Sequence, residues 1–202
     1  MPGGNRLIFS TQPPAVKGSA RKPSAIYYVD KTETGWTSPV IINVTVDTLM
    51  TKGQVSVARN GNIYFSGRIL TEQLPGIFIC RYSNGEYLKP EKIAGPLSTI
   101  ALLVDPWIDP DEKFMLFSFP PKEGSPVLTD IGISFPDEKG EWSLPVRLGK
   151  EINTEAFERF PSLSGDGRYL FFIRSSSRQF VGDQAHFYWV SVKIIEELRP
   201  KE

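Results

Sequence analysis

The chain has 202 residues, of which 40% are apolar and 12% aromatic, so it is long enough to bury a sizeable core. Lysine plus arginine number 23 and aspartate plus glutamate also number 23, which argues against a nucleic-acid binder, because such proteins normally carry a basic excess. A single cysteine excludes an intramolecular disulfide, and no apolar run reaches the roughly 18 residues that a membrane-spanning helix needs. We therefore expect no nucleic-acid partner and no membrane insertion.

Four segments of similar sequence predict four equivalent strands, at residues 6–10, 62–66, 113–118 and 168–172. One phenylalanine from each can be aligned: Phe9, Phe65, Phe117 and Phe172. The alignment gives steps of about 56, 52 and 55 residues, a period within the range of β-propeller blades. Turn residues such as Asn60-Gly61 precede these strands and favour tight hairpins. The repeat therefore predicts a succession of propeller blades.

The remaining strands of each blade keep the same step. A further strand is predicted at residues 26–29, 77–80, 131–134 and 187–190, and inner strands at 54–57, 105–108 and 160–163. Three copies then run into a glycine turn, an aromatic residue and a proline, namely Pro39, Pro90 or Pro145. Because proline cannot donate to a sheet ladder, this last strand is predicted to be the outer edge of its blade. Each full unit is a four-stranded antiparallel meander, whose strands we label A to D from the channel outward.

The repeat resembles the TolB-type, WD-repeat-like propeller family. The resemblance rests on Phe-Pro-Ser-Leu-Ser-Gly-Asp-Gly at residues 160–167 with the strand that follows, and on Gly-Glu-Trp-Ser-Leu-Pro at 140–145. Gly165 stands where the family usually has proline, and Gly3 where it usually has aspartate. The resemblance implies a six-bladed binding platform, with a periplasmic or extracellular location for the intact protein. Some relatives are instead fused to hydrolase domains or adapted as lyases.

The whole chain, 1–202, is predicted to form a single all-β domain, a propeller segment of about four blades in which the first and last are incomplete. The blade units fall at residues 1–43, 54–94, 104–149 and 159–195, with a short tail at 196–202. The first unit starts in a turn, and the last is expected to end after a C strand near residues 192–195. A six-bladed ring needs about 300 residues at this period. We therefore expect either missing N-terminal blades or a homodimer to close the ring, and we recognise no signal peptide in this chain.

The sequence offers few residues for catalysis. The single histidine, His186, is interpreted as a surface residue at a strand end, and no Gly-x-Ser-x-Gly nucleophile motif occurs. We interpret Asp111 and Asp166 as turn residues that hydrogen-bond nearby backbone. Trp36 and Trp142 are expected to pack between blades. We predict no catalytic residue, no metal and no cofactor.

Binding is expected on the face that carries the B–C loops and D–A segments, because long loops on a rigid scaffold usually hold binding residues. These loops are long and carry basic residues, whereas the turns of the opposite face are short and acidic. The candidate contacts are Arg159, Arg178, Arg174 and Arg68. Replacing Arg159 and Arg178 by alanine is expected to weaken partner binding without lowering the melting temperature. The alternative is that these loops only connect the strands and bind nothing.

The sequence therefore favours a non-catalytic interaction module for a protein or polysaccharide partner. One alternative is a carbohydrate-active enzyme of propeller type, either a lyase or a glycoside hydrolase. Another is the accessory propeller of a peptidase. Turnover of glycosides would favour the enzyme, and retention on a polysaccharide without turnover would favour the binding module.

Overall fold

The computed structural model describes residues 4–12, 24–42, 49–69, 71–121, 128–177 and 184–198. Within these residues the fold is almost entirely β. Four antiparallel sheets follow one another along the chain, and each is a meander in which successive strands pair. We call these sheets blades 1 to 4. A two-stranded hairpin at the edge of blade 2 and two short helices complete the described structure.

Blade 1 has three strands in the order β1 (Arg6–Thr11), β2 (Ala25–Asp30) and β3 (Val40–Ile42). Blade 2 has four strands, β4 (Leu49–Val57), β5 (Ile63–Ile69), β6 (Gly76–Cys80) and β9 (Glu91–Lys92). Its hairpin pairs β7 (Tyr82–Ser83) with β8 (Glu86–Tyr87). A 3-10 helix, Pro96–Thr99, leads to the next blade.

Blade 3 also has four strands, β10 (Val104–Ile108), β11 (Met115–Phe119), β12 (Asp130–Ser134) and β13 (Val146–Arg147). Blade 4 has three strands, β14 (Phe157–Leu163), β15 (Tyr169–Ser175) and β16 (Ala185–Ser191). The chain then turns into a single helical turn, α1 (Lys193–Glu196). The predicted A, B and C strands are therefore confirmed wherever the structure describes them.

The aligned phenylalanines occupy one equivalent position in all four blades. Phe65, Phe117 and Phe172 each lie on the face of their blade that points towards the preceding blade, and Phe9 lies on the equivalent face of blade 1. Phe65, Phe117 and Phe172 are buried there. A stacked ring pair recurs at this position in three blades, Phe9–Tyr27, Phe65–Phe78 and Phe172–Tyr188, with centroids 5.6–6.0 Å apart. The repeat found in the sequence therefore reflects a repeated packing contact.

Three apolar clusters hold neighbouring blades face to face. Ile26 and Ile42 of blade 1 pack on Ile63 and Phe65 of blade 2. The face of blade 2 that carries Tyr64, Ile77 and Ile79 packs on Met115, Phe117 and Trp142 of blade 3. Blade 3 in turn packs on blade 4 through Leu116, Ile131, Ile133, Leu170 and Phe172. Since removing apolar surface from water is the main favourable term in folding, these contacts between blades are the principal source of stability.

The predicted edge prolines lie immediately before the outer strands. Strand β3 begins one residue after Pro39, β9 one residue after Pro90, and β13 one residue after Pro145. All three strands are outermost in their sheets, so the missing proline N–H costs no ladder hydrogen bond. The edge assignment made from the sequence is confirmed.

The structure differs from the sequence interpretation at two places. Residues 193–196 form a helical turn rather than the continuation of a C strand. The physical reason is that this turn brings Ile195, which is fully buried, into the cluster between blades 3 and 4. Trp142 packs between blades as expected, but Trp36 is 51% exposed on its turn and does not. Among the described residues, no helix is long and apolar enough to span a membrane.

The thiol of Cys80 provides a test of the contact between blades 1 and 2. Cys80 is fully buried in this cluster, its Sγ lies 2.9 Å from the carbonyl of Leu88, and burial raises the pKa of the thiol to about 12. Since the thiolate is the reactive form, we expect iodoacetamide at pH 8 to leave the native protein unmodified. The same reagent should label the chain in guanidinium chloride, as measured by intact mass. Rapid labelling in native buffer would contradict this packing.

Candidate functional site

The inner strands of blades 2, 3 and 4 share a β-bulge at the same place. The ladder register shifts between residues 52 and 55 in β4, between 104 and 107 in β10, and between 159 and 162 in β14. Asp105 and Phe160 adopt φ of 55° and 58° at these bulges, and each is followed by proline. A residue before proline normally prefers extended backbone, so both positions are strained. Bulges commonly re-aim side chains next to functional sites.

The three bulges point towards a single cleft at the B–C and D–A end of the blades. The cleft has a volume of about 360 Å³, within the size range of small-ligand sites. Its walls come from all four blades: Ser24, Gly53, Gln54, Ser66, Pro75, Val104, Asp105, Arg159 and Phe160. The cleft therefore lies on the face that the sequence analysis selected for binding.

Asp105 connects blade 3 to both of its neighbours at the floor of this cleft. Its backbone N–H donates to Ser66 Oγ of blade 2 at 2.9 Å, and this contact is buried. Its carboxylate accepts two hydrogen bonds from Arg159 of blade 4, from Nε at 2.5 Å and from Nη2 at 2.7 Å. The Asp105 side chain is 4% exposed and that of Arg159 25%. A bidentate, largely desolvated ion pair of this kind fixes the relative position of two strands.

Gln54 and Phe160 are a polar and an aromatic residue that line the cleft. The Oε1 atom of Gln54 is buried and has no hydrogen-bond partner among the described residues. Buried polar atoms are usually satisfied, so an oxygen without a partner at this position is unusual. Phe160 is half-buried and lies with its ring 4.8 Å from the guanidinium carbon of Arg159. The cleft thus combines an amide acceptor with an aromatic surface.

Two of the other predicted arginines, Arg174 and Arg68, lie near the same end of the blades but do not line the cleft. Arg174 donates from Nε to Glu158 Oε1 at 3.0 Å and from Nη2 to the carbonyls of Glu151 and Ile152. Glu158 is fully buried, so this arginine has a structural partner. Arg68 donates to the carbonyl of Glu72 at 3.3 Å. Arg178 lies outside the described residues.

Sequence reasoning missed the roles of Gln54, Asp105 and Phe160, although it placed them in inner strands. One signal was available, because Asp105-Pro106 and Phe160-Pro161 are X-Pro pairs 55 residues apart, at the same step of the repeat. A recurring X-Pro pair inside a strand indicates a bulge, since proline interrupts the ladder. Gln54 carries no such signal, because valine follows it.

The opposite face carries a polar network rather than isolated surface acids. Glu112 accepts hydrogen bonds from Asn60, Asn62 and the Tyr64 hydroxyl at 2.8–2.9 Å, which ties blade 3 to blade 2. Burial raises the pKa of Tyr64 above its ordinary range, and the nearby carboxylate of Glu112 raises it further. The network therefore joins blades 2 and 3 at the end that carries their A–B turns.

The turn roles predicted for two aspartates have different outcomes. Asp166 does hydrogen-bond its own turn, and contacts from Ser164 and then Arg168 lower the pKa of its carboxyl to about 2. Asp111 instead pairs with Arg59 of blade 2, and Asp109 accepts the backbone N–H groups of its turn. The assignment of Asp111 as the turn-forming side chain is therefore wrong. Its position after Pro110 turns its carboxylate towards the neighbouring blade.

No cluster of three or more potential metal-ligating side chains (histidine, cysteine, aspartate or glutamate) occurs within the described ranges. His186 is exposed near the start of β16, as expected.

Comparisons with known proteins come from structure alone. No protein-family model matches the chain, and no curated protein sequence matches it. A putative TolB from Agrobacterium tumefaciens superimposes with a TM-score of 0.56 at 14% identity, over 93% of this chain and 60% of that one. A GH43 endo-arabinanase from Bacillus licheniformis gives 0.53 at 14% identity, over 92% and 68%. A prolyl endopeptidase gives 0.50 at 19% identity, over 91% and 28%.

The chain has a β-propeller fold. The four consecutive antiparallel sheets and these structural neighbours agree on this point. At identities below 20% the likeness concerns the fold alone, and the three neighbours differ in what their names say they do. The chain spans 28% of the prolyl endopeptidase and 60% of the Agrobacterium protein.

The Asp105–Arg159 pair changes what we expect from the substitution Arg159→Ala. The sequence suggested a change that is neutral for stability, but the substitution would leave a buried carboxylate without its arginine. We expect a loss of about 2–4 kcal/mol in the free energy of unfolding, since breaking a buried pair is costly and Arg159 is partly exposed. Urea unfolding followed by circular dichroism measures it.

A matched control for this prediction is Arg81→Ala. Arg81 pairs with Glu91 at 3.9 Å, and both side chains are more than half exposed. We expect a change within about 0.5 kcal/mol there. Equal effects of the two substitutions would show that the pair at the cleft does not hold blades 3 and 4 together.

Proposed function

We propose that this propeller is a non-catalytic interaction module that holds a protein or polysaccharide partner in the cleft over the B–C and D–A face. The observation that carries the proposal is the convergence of three inner-strand bulges on one cleft, two of which are strained at Asp105 and Phe160. Strain of this kind costs on the order of 1–3 kcal/mol per residue and tends to occur where it serves function. Its repetition in successive blades supports a binding role for the cleft.

The chemistry of the cleft supports a ligand rich in hydroxyl or amide groups. Gln54 presents a buried oxygen that lacks a partner among the described residues, and Phe160 presents an aromatic ring. Hydroxyl and amide groups can donate to such an oxygen, and an aromatic ring can pack on an apolar portion of the same ligand. Sugars and extended polypeptides both combine these features. Arg159 supports the cleft mainly through its pair with Asp105.

The finer family assignment made from the sequence, a TolB-type and WD-repeat-like repeat, is consistent with this proposal. The TolB-like neighbours support the propeller architecture, and the WD-like character of the repeat stays a prediction. The carbohydrate-active alternative also fits the fold, because a GH43 endo-arabinanase is among the neighbours. The two functions differ in turnover, which an assay separates directly.

The experiment is a binding screen with Gln54→Ala as the test variant. Immobilised polysaccharides of plant and bacterial origin and an unfolded casein serve as probes, with fluorogenic glycosides in parallel. We expect the wild type to be retained on at least one polymer without turnover. Removing the Gln54 amide should weaken that retention about 5- to 150-fold, because an unpaired polar contact in a binding site costs about 1–3 kcal/mol.

Gln73→Ala is the matched control, because Gln73 is exposed and lies outside the cleft. It should bind like the wild type, and both variants should keep the wild-type melting temperature. Unchanged affinity of Gln54→Ala would contradict the proposed site. Hydrolysis or elimination of a glycoside would contradict the non-catalytic module and support the carbohydrate-active enzyme.

A further inference from the structure

None of the described residues covers one of the two faces of blade 4. This face, which we call the trailing face, points away from blade 3 and carries Phe171, Ile173, Phe187 and Trp189. Phe187 is 81% exposed and Trp189 63%. Contiguous exposed apolar surface of this kind marks an interaction site in soluble proteins.

The internal repeat shows what such a face is built to contact. The residues equivalent to Phe187 in the first three blades are Ile26, Ile77 and Ile131, and all three are fully buried. The residues equivalent to Trp189 in blades 2 and 3, Ile79 and Ile133, are buried as well. In each case the cover is the face of the following blade. Side chains at this position are therefore normally covered by the face of a neighbouring blade.

Blade 1 carries the complementary uncovered face. This leading face points away from blade 2 and bears Leu7, Phe9, Tyr27 and Ile41. Leu7 is 54% and Ile41 55% exposed. The residues equivalent to Leu7 in the other blades, Ile63, Met115 and Leu170, are fully buried against the preceding blade.

The stacked pair Phe9–Tyr27 matches the stacked pair Phe65–Phe78, which is buried against blade 1. The leading face thus has the composition and ring geometry of a surface that receives a trailing face. Both halves of one type of blade contact are present and uncovered on the same chain.

We propose that a second copy of this chain covers both faces, with the leading face of each copy packed on the trailing face of the other. Such a contact is heterologous, and two of them close a ring when the rotation is right. Two arcs of four blades give eight blades, which lies within the range of known propellers. The association also removes two large apolar surfaces from water, which favours it.

The experiment measures the mass of the full chain by light scattering and sedimentation equilibrium over a wide concentration range. The wild type should show twice the monomer mass of 22.7 kDa. The double substitution Phe187→Glu with Trp189→Glu should give a monomer, and so should Leu7→Glu with Ile41→Glu. All four side chains are largely exposed, so each variant should keep its far-UV circular dichroism. Leu144→Glu, at a leucine 58% exposed away from both faces, should remain dimeric.

Mixing the two monomeric variants tests the pairing of unlike faces. Each variant keeps one intact face, so the mixture should recover a dimer through a single contact, with weaker affinity than the wild type. A contact between like faces predicts the opposite pattern, in which one variant dimerises alone and mixing adds nothing.

Three results would overturn the proposal. They are a wild type that stays monomeric at every concentration, a variant that still dimerises alone, and a mass that climbs through higher multiples instead of stopping at two copies. A monomeric wild type would mean that blades of another polypeptide segment or partner cover these faces. The oligomer and the proposed binding site are tested separately, because Gln54→Ala leaves both faces intact.

Discussion

Asp105 joins the inner strand of blade 3 to both of its neighbours, blades 2 and 4. Each blade has its own hydrogen-bond ladder, so a ladder stabilises a sheet without fixing its position against the next sheet. Apolar contacts between blades are strong but non-directional. Directional contacts must therefore set the spacing of the inner strands. Asp105 supplies two of them, from its N–H to Ser66 and from its carboxylate to Arg159.

Because of the bulges, the residues that join neighbouring blades also line the cleft. A regular inner strand would alternate its side chains between the two blade faces, and none would be displaced towards the cleft. The register shifts in β4, β10 and β14 free one residue from that alternation in each blade. Positive φ at Asp105 and Phe160 is maintained because the Asp105–Arg159 ion pair and the neighbouring blades restrain the backbone around them. Strain and directional bonding are thus concentrated around the cleft.

The sequence predicted those features that depend on residues close together in the chain. Strand alternation, glycine turns and edge prolines are local, so β5, β11 and β15 were placed correctly, as was the edge position of Pro90. The equivalence of Phe65 and Phe117 was also visible, because a repeated contact repeats its residues. The Asp105–Arg159 pair joins residues 54 positions apart, and nothing in either local segment indicates the other. The helical turn at α1 was missed for the same reason, since burial of Ile195 against blades 3 and 4 decides its conformation.

Two of the candidate arginines direct their donors at acceptors within the protein. Arg159 and Arg174 both lie near the predicted face, yet their donors are directed at Asp105 and at Glu158 with two carbonyls. A ligand that displaced these contacts would leave a buried carboxylate unpaired, which costs more than a surface hydrogen bond returns. A polar group without a partner in the protein loses no hydrogen bond when it contacts a ligand. Gln54 is such a group, because its buried oxygen has no partner among the described residues. The pair of Arg159 with Asp105 therefore joins blades 3 and 4 beside Gln54 and Phe160 in the cleft.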